Sequence, residues 1–238
     1  MSGLTIFNAH PRLYWGEYGA NDDYAWMAVG SSETMGYLRL GEMRIETTGV
    51  LGNWQDSEGN TRTWAFPGWA TIPSGYSLAD GRRWHFFFAW IFSLGLTLFM
   101  IGSLWNRHIQ KELHMRRDEW RPAHIWRSLR DHTRISVIRR AWSEDYNVIQ
   151  KLTYIGVIFI LLPLMIITGL AMSPAMDASW PILTELFGGR QSARSIHFIA
   201  AFLLVLFFLI HITMVLLSGP IRQSKAMILG GARKEPTI

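Results

Sequence analysis

Three stretches of this chain, residues 84–105, 152–172 and 196–217, contain no Asp, Glu, Lys or Arg. Each is 21 or 22 residues long, enough to cross about 30 Å of hydrocarbon as an α-helix. Only helices and closed barrels satisfy their backbone in lipid, and these stretches lack the alternation of barrel strands. A helix buried in a soluble core is the competing reading, and three such stretches in 238 residues argue against it. The sequence therefore predicts an all-α membrane protein with three complete spans. Pro163 lies inside the second span and predicts a kink, which membrane helices tolerate when neighbouring groups re-satisfy the freed carbonyl. Trp84, Trp105 and Trp180 suit the aromatic belts at the two interfaces.

Hydrophobic residues make up 49% of the chain and charged residues only 17%. The sequence pI of about 9.7 does not indicate nucleic-acid binding, because the basic residues sit beside the apolar stretches, where a membrane protein places them. There is no cysteine. Disulfides, thiolate metal sites and iron–sulfur clusters ligated by this chain are excluded, which leaves histidine as the strong metal ligand.

Charge predicts the topology. Residues 106–151 hold 11 Lys/Arg against 6 Asp/Glu, and the tail 218–238 holds 4 against 1. Residues 8–80 hold 4 against 9, and residues 172–195 hold 2 against 2. The positive-inside rule puts the basic loop 106–151 and the C-terminal tail in the cytoplasm, with 8–80 and 172–195 outside. The chain then divides into an outer segment up to residue 80, a transmembrane domain over 81–220, and a cytoplasmic tail over 221–238. The outer segment needs a route across the membrane, and no basic n-region precedes it. The expectation is a further helix upstream, whose last turn is MSGLTIF at residues 1–7. Within the outer segment, MRIETTGVLGNWQ and NTRTWAFPGW flank the turn-like DSEG and predict a hairpin.

Three of the eight histidines fall in or at the apolar stretches: His85, His197 and His211. An ionisable side chain at membrane depth is costly and marks a functional site by default. His197 and His211 are 14 residues apart. At about 100° per residue this falls about 40° short of four turns, so both rings leave one face of a helix about 21 Å apart along its axis. That face suits two haems at two membrane levels. His85 lies at the level of His197 and is its natural axial partner. His211 has no partner in the visible spans, a second reason to expect an upstream helix. Interhelical hydrogen bonding is the alternative role for each ring. His10, His108, His114, His124 and His132 lie in polar segments, where a solvated ring is the default. Gly95, Gly156 and Gly169 are small enough to sit against a flat macrocycle, or serve plain helix packing. Arg82, Arg83, Arg190 and Arg194 flank the outer-level histidines and are candidates for haem propionate contacts or helix-end anchors.

RRWHFFFAW (82–90), DYNVIQK (145–151), TGLAMSP (168–174) and the His197/His211 pair together resemble the cytochrome b561-type di-haem membrane subunits. These include the gamma subunit of respiratory formate dehydrogenase and the cytochrome b partners of periplasmic molybdopterin oxidoreductases. The resemblance covers residues 1–8 and 80–220. It implies a four-helix bundle in the bacterial inner membrane with a cytoplasmic N-terminus and two haem b groups. It places His85 and His197 on the outer haem and His211 on the inner one. The family's remaining ligand is a His early in the first helix, which this sequence lacks. The resemblance also implies quinone exchange near the inner haem, where Asn147 and Gln150 are candidates for a quinone carbonyl or for helix-end capping.

The function that follows is a b-type cytochrome subunit passing electrons between the quinone pool and a periplasmic partner, a molybdopterin oxidoreductase or a cytochrome c. Such a subunit transfers electrons and makes no bonds of its own. Two rivals stand beside it. A self-contained quinone-coupled cytochrome of the superoxide oxidase or ferric reductase type needs no partner enzyme. A non-haem membrane anchor would show no Soret band.

Overall fold

A computed structural model describes residues 1–106 and 148–217 of the chain. The basic loop, the C-terminal tail, Asn147, His108, His114, His124 and His132 lie outside the described residues, and the Gln150 side chain does too. Two compact units form. One comprises Met1–Gly102 with Leu164–Phe198, and the other includes the described residues 103–106, 148–163 and 199–217.

Three described helices are long and apolar enough to span a membrane: Leu78–Trp105, Leu152–Ala171 and Arg190–Leu216. The first is α2 (Leu78–Trp105). The second is built from α3 (Val148–Gly156), a π turn (Val157–Leu161) and α4 (Leu162–Ala171). The third is α7 (Arg190–Leu217), preceded by the short α5 (Pro174–Ser179) and α6 (Ile182–Leu186). Large apolar side chains on these helices are exposed, among them Trp90 at 74% and Phe202 at 62%. Contiguous apolar surface of that kind does not persist in water, and lipid is the solvent that suits it.

Two of these helices begin earlier than the apolar stretches, because polar residues build their first turns. Ser77 and Asp80 form a capping pair at the start of α2. The Asp80 N–H donates to Ser77 Oγ at 3.3 Å, and that hydroxyl donates to Asp80 Oδ2 at 2.7 Å. At the start of α7, Gln191 and Ser192 N–H both donate to the Gly16 carbonyl at 3.1 Å, so the loop at Gly16 satisfies two orphan donors. Gly189 must be glycine there. Its φ is +113°, and a Cβ would stand 2.5 Å from the Gly16 carbonyl oxygen.

The expected disruption at Pro163 takes the form of the π turn just before it. Proline supplies no N–H and its ring crowds the carbonyl four residues back. The turn widens to an i→i+5 register, in which Leu162 N–H donates to the Val157 carbonyl.

The all-α expectation holds for the spans and is corrected for residues 8–80. A four-stranded antiparallel sheet forms in the order β1 (Arg12–Leu13), β2 (Met27–Ser32), β3 (Met35–Leu40), β4 (Met43–Glu46). The predicted hairpin is present as β5 (Trp54–Gln55) against β6 (Thr61–Arg62). Asp56 closes it by accepting from Glu58 N at 3.0 Å, Asn60 N at 2.9 Å and Arg62 Nε at 2.8 Å. Strands are stabilised by packing against cross-strand and same-face neighbours, which local sequence reports poorly. The sheet buries Leu13, Met27, Val29 and Ala65 with Phe7, which belongs to the N-terminal helix α1 (Ser2–Ala9). Phe198 of α7 packs on the same cluster, its ring centre 4.9 Å from that of Phe7.

Gly52 fixes how the hairpin lies on the sheet. Its φ is +74°, and a Cβ would fall 2.0 Å from the Gly30 carbonyl oxygen on β2. Gly52→Ala is expected to lose about 1–2 kcal/mol from the left-handed backbone alone, and more from the clash. Protease cleavage within residues 40–66 of the purified protein should rise sharply, and cleavage equal to wild type would contradict this packing.

His10 lies just after α1, its Nε2 3.1 Å from the Tyr14 hydroxyl, which donates to the Ala20 carbonyl at 2.8 Å. Burial holds its pKa below the ordinary value, helped by the cationic Arg194 and Arg12. The unfolded ring thus binds a proton that the folded one resists. The stability involved is present above about pH 6.5, the unfolded value, and is lost as pH falls below it. Thermal unfolding between pH 7.5 and 5 should show a steeper acid-side loss in wild type than in His10→Gln.

Candidate haem-ligand site

His85 sits two turns into α2 and His197 two turns into α7. The structure brings their rings together with centres 6.1 Å apart and planes 74° apart. Among the described residues no three His, Asp or Glu groups converge. A pair of imidazoles on separate helices could instead hold a metal whose remaining ligands come from a bound cofactor. A metal–imidazole bond of about 2 Å from each ring places the ring centres about 6 Å apart, which the observed separation matches.

The other nitrogen of each ring faces a hydroxyl. Thr168 Oγ1 lies 2.9 Å from His197 Nδ1. Ser2 Oγ lies 3.4 Å from His85 Nδ1. With both Nδ1 atoms directed to hydroxyls, both Nε2 atoms remain for a metal, the arrangement that ligating histidines adopt. Glycines accompany the hydroxyls. A Cβ on Gly3 would stand 3.7 Å from His85 Cε1, and one on Gly169 would stand 3.6 Å from His197 Cε1. Gly95 and Gly156 have no such neighbour within 4 Å. Sequence reasoning singled out Gly169 and passed over Ser2, Gly3 and Thr168. The one signal was a hydroxyl–glycine dipeptide at both places, SG at residue 2 and TG at residue 168.

The segment before His197 is tied firmly to the N-terminal part of the chain. Ser195 is fully buried; it accepts from Trp26 Nε1 at 3.0 Å and donates to the Tyr14 carbonyl at 2.6 Å. Ser192 Oγ accepts from Gly16 N at 2.7 Å. Arg194 donates to the His10 carbonyl at 2.5 Å and stands over the Phe7 ring. Arg190 donates to the Met172 carbonyl at 2.7 Å. Both guanidinium groups thus anchor backbone. Arg83 pairs with Asp80 at 3.3 Å in an exposed position, and Arg82 is exposed.

His211 lies in the second unit. Its ring stacks on Phe207 one turn earlier, centres 5.6 Å apart and planes 23° apart. The Tyr154 ring meets it edge-on at 6.0 Å. Neither aromatic neighbour stood out in the sequence, where both read as ordinary span residues.

Comparison with known proteins supplies the family. The family model for prokaryotic cytochrome b561 matches residues 44–230, and the chain belongs to that family. A curated relative from Azospira oryzae, a putative protein-methionine-sulfoxide reductase subunit YedZ1, is 28% identical over 164 residues, covering 67% of this chain and 75% of its own length. No solved structure matches. This chain is accordingly a multi-pass membrane cytochrome of the b type, an electron-transfer subunit whose cofactor is haem b.

Ser195→Ala leaves the Trp26 indole N–H and the Tyr14 carbonyl without this partner. The expected loss is about 1–3 kcal/mol for the orphaned groups, seen as a lower unfolding temperature of the purified protein. A fall no larger than that of a surface Ser→Ala control would contradict the role given to this bridge.

Proposed function

We propose that this member of the prokaryotic cytochrome b561 family transfers electrons between the quinone pool and a periplasmic oxidoreductase partner, with His85 and His197 as axial ligands of one haem. The observation that carries the reading is the facing imidazole pair at 6.1 Å, each ring with its Nδ1 turned to a hydroxyl. Haem b held there supplies one-electron transfer and needs no proton donor at the iron. The protein's share is to fix both rings, to keep the site in a low dielectric, and to set its distance from a docked partner.

His211, stacked on Phe207, serves a second haem in the same reading. The four-span bundle, the outer position of residues 8–80 and the cytoplasmic C-terminus belong to it too, supported by the distribution of Lys and Arg. Quinone exchange is assigned to the cytoplasmic end, where Asn147 and Gln150 fall in sequence. The relative's name, a reductase subunit, supports an oxidoreductase as partner. We favour a molybdopterin enzyme over a cytochrome c, and a docked partner over a self-contained oxidase or ferric reductase. The folded sheet over residues 12–46 supports the docked partner, since it offers an ordered surface beyond the spans.

The test is haem content and Soret absorbance of membranes carrying single substitutions. His85→Ala and His197→Ala should each remove the same haem, and His211→Ala should remove a different one. Equal spectra for His197→Ala and wild type, or a colourless wild type in haem-replete cells, would overturn the assignment.

A further inference from the structure

Thr168 occupies a position that leaves its hydroxyl little choice. The residue is fully buried in α4. Its Oγ1 lies 2.6 Å from the Leu164 carbonyl oxygen, 3.4 Å from that of Met165 and 2.9 Å from His197 Nδ1. A threonine hydroxyl has one proton, and both backbone oxygens can only accept. The proton therefore goes to the near carbonyl of Leu164, the usual back-bond of a hydroxyl inside a helix. What faces His197 is an oxygen lone pair.

From this we infer that Thr168 is a positioning residue that holds His197 in the tautomer with its proton on Nδ1, leaving the Nε2 lone pair bare for the metal. The opposite tautomer would set two lone pairs against each other at 2.9 Å. The contact also sets the ring's strength as a ligand. Partners that accept from the far N–H of a ligating histidine raise its basicity, and a neutral hydroxyl does so less than a carboxylate. The ring is held in one orientation without an added buried charge, which apolar surroundings disfavour.

A second observation points the same way. Ser2 and Gly3 stand to His85 as Thr168 and Gly169 stand to His197, with a hydroxyl at Nδ1 and a glycine against Cε1. The Ser2 contact is longer, 3.4 Å against 2.9 Å, so Thr168 is the stronger constraint of the two.

The inference rests on His197 being a haem ligand, so its test has two levels. Substitutions are made in the full chain, haem is quantified in the purified protein, and the potential and low-temperature EPR spectrum of the His85/His197 haem are recorded. Thr168→Val keeps the volume but removes the hydroxyl acceptor, leaving the Met165 carbonyl as the ring's other hydrogen-bond neighbour. Loss of ligand basicity favours the ferrous form, so its potential should shift positive and its EPR signal should move. Thr168→Ser restores the acceptor and should restore both readouts. A Thr168→Val protein with full haem and unchanged potential and EPR would overturn the inference. So would a Thr168→Ser protein displaced as far as the valine variant, which would assign the effect to the lost methyl group. If Thr168→Val loses this haem, Thr168→Ser decides: retention with wild-type potential supports the inference, and loss overturns it. An unchanged spectrum in His197→Ala would instead defeat the ligand assignment itself, a separate result.

Discussion

An imidazole inside a membrane helix has two nitrogens, and only one can serve a metal. The other must find a partner in a solvent that offers none, or the ring rotates, tautomerises or remains a cost to the fold. Here the partners are side-chain hydroxyls from two separate helices, Thr168 for His197 and Ser2 for His85. Much else in the first unit can be understood as fixing those two hydroxyls. The N-terminal helix is held through Phe7 on Phe198 and through Arg194 on the His10 carbonyl. The short helices α5 and α6 are latched together by Thr184, whose hydroxyl donates to Asp177 Oδ1 at 2.5 Å.

The spans are legible in sequence because lipid imposes a crude rule, about 20 residues without charge. The matched level of His85 and His197 is legible for a similar reason, since rise per residue converts position along a helix into height. That places His85 beside His197, and the structure brings the same two rings together. Position along a helix says little about which small polar residue on a neighbouring helix meets a ring. Thr168 sits among Ile167, Gly169 and Leu170, where a lone hydroxyl reads as helix packing. Ser2 lies in MSGLTIF, which reads as the last turn of a helix and gives no sign of which ring its hydroxyl meets.

The sheet was harder to read than the hairpin for a different physical reason. Asp56 to Asn60 carries turn chemistry that is local in sequence, so the hairpin announces itself. Strands β1 to β4 depend on long-range support. β1 has two residues, and β2 changes from buried Met27, Ala28 and Val29 to half-buried Gly30, Ser31 and Ser32 without alternation. Gly36 and Gly52 are required where backbones nearly touch, at Leu51 and Gly30 respectively, and such close approaches leave no periodic trace.

The ties between this sheet and α7 bear on how electrons could reach the ring pair. Trp26 of the outer segment, Ser195 of α7 and the Tyr14 carbonyl form one continuous hydrogen-bonded bridge, two residues from His197. Gly16 supplies the acceptor for the first amides of the same helix. A surface built on these strands is therefore held at a fixed separation from the imidazoles, with little room for independent motion. On the proposed function that rigidity is what a docked redox partner needs, because transfer into a buried group depends on distance and not on a conformational step. Trp15 stacks on Trp26, ring centres 5.8 Å apart, and is itself half exposed. Its ring thus extends the hydrogen-bonded bridge to the surface of the first unit.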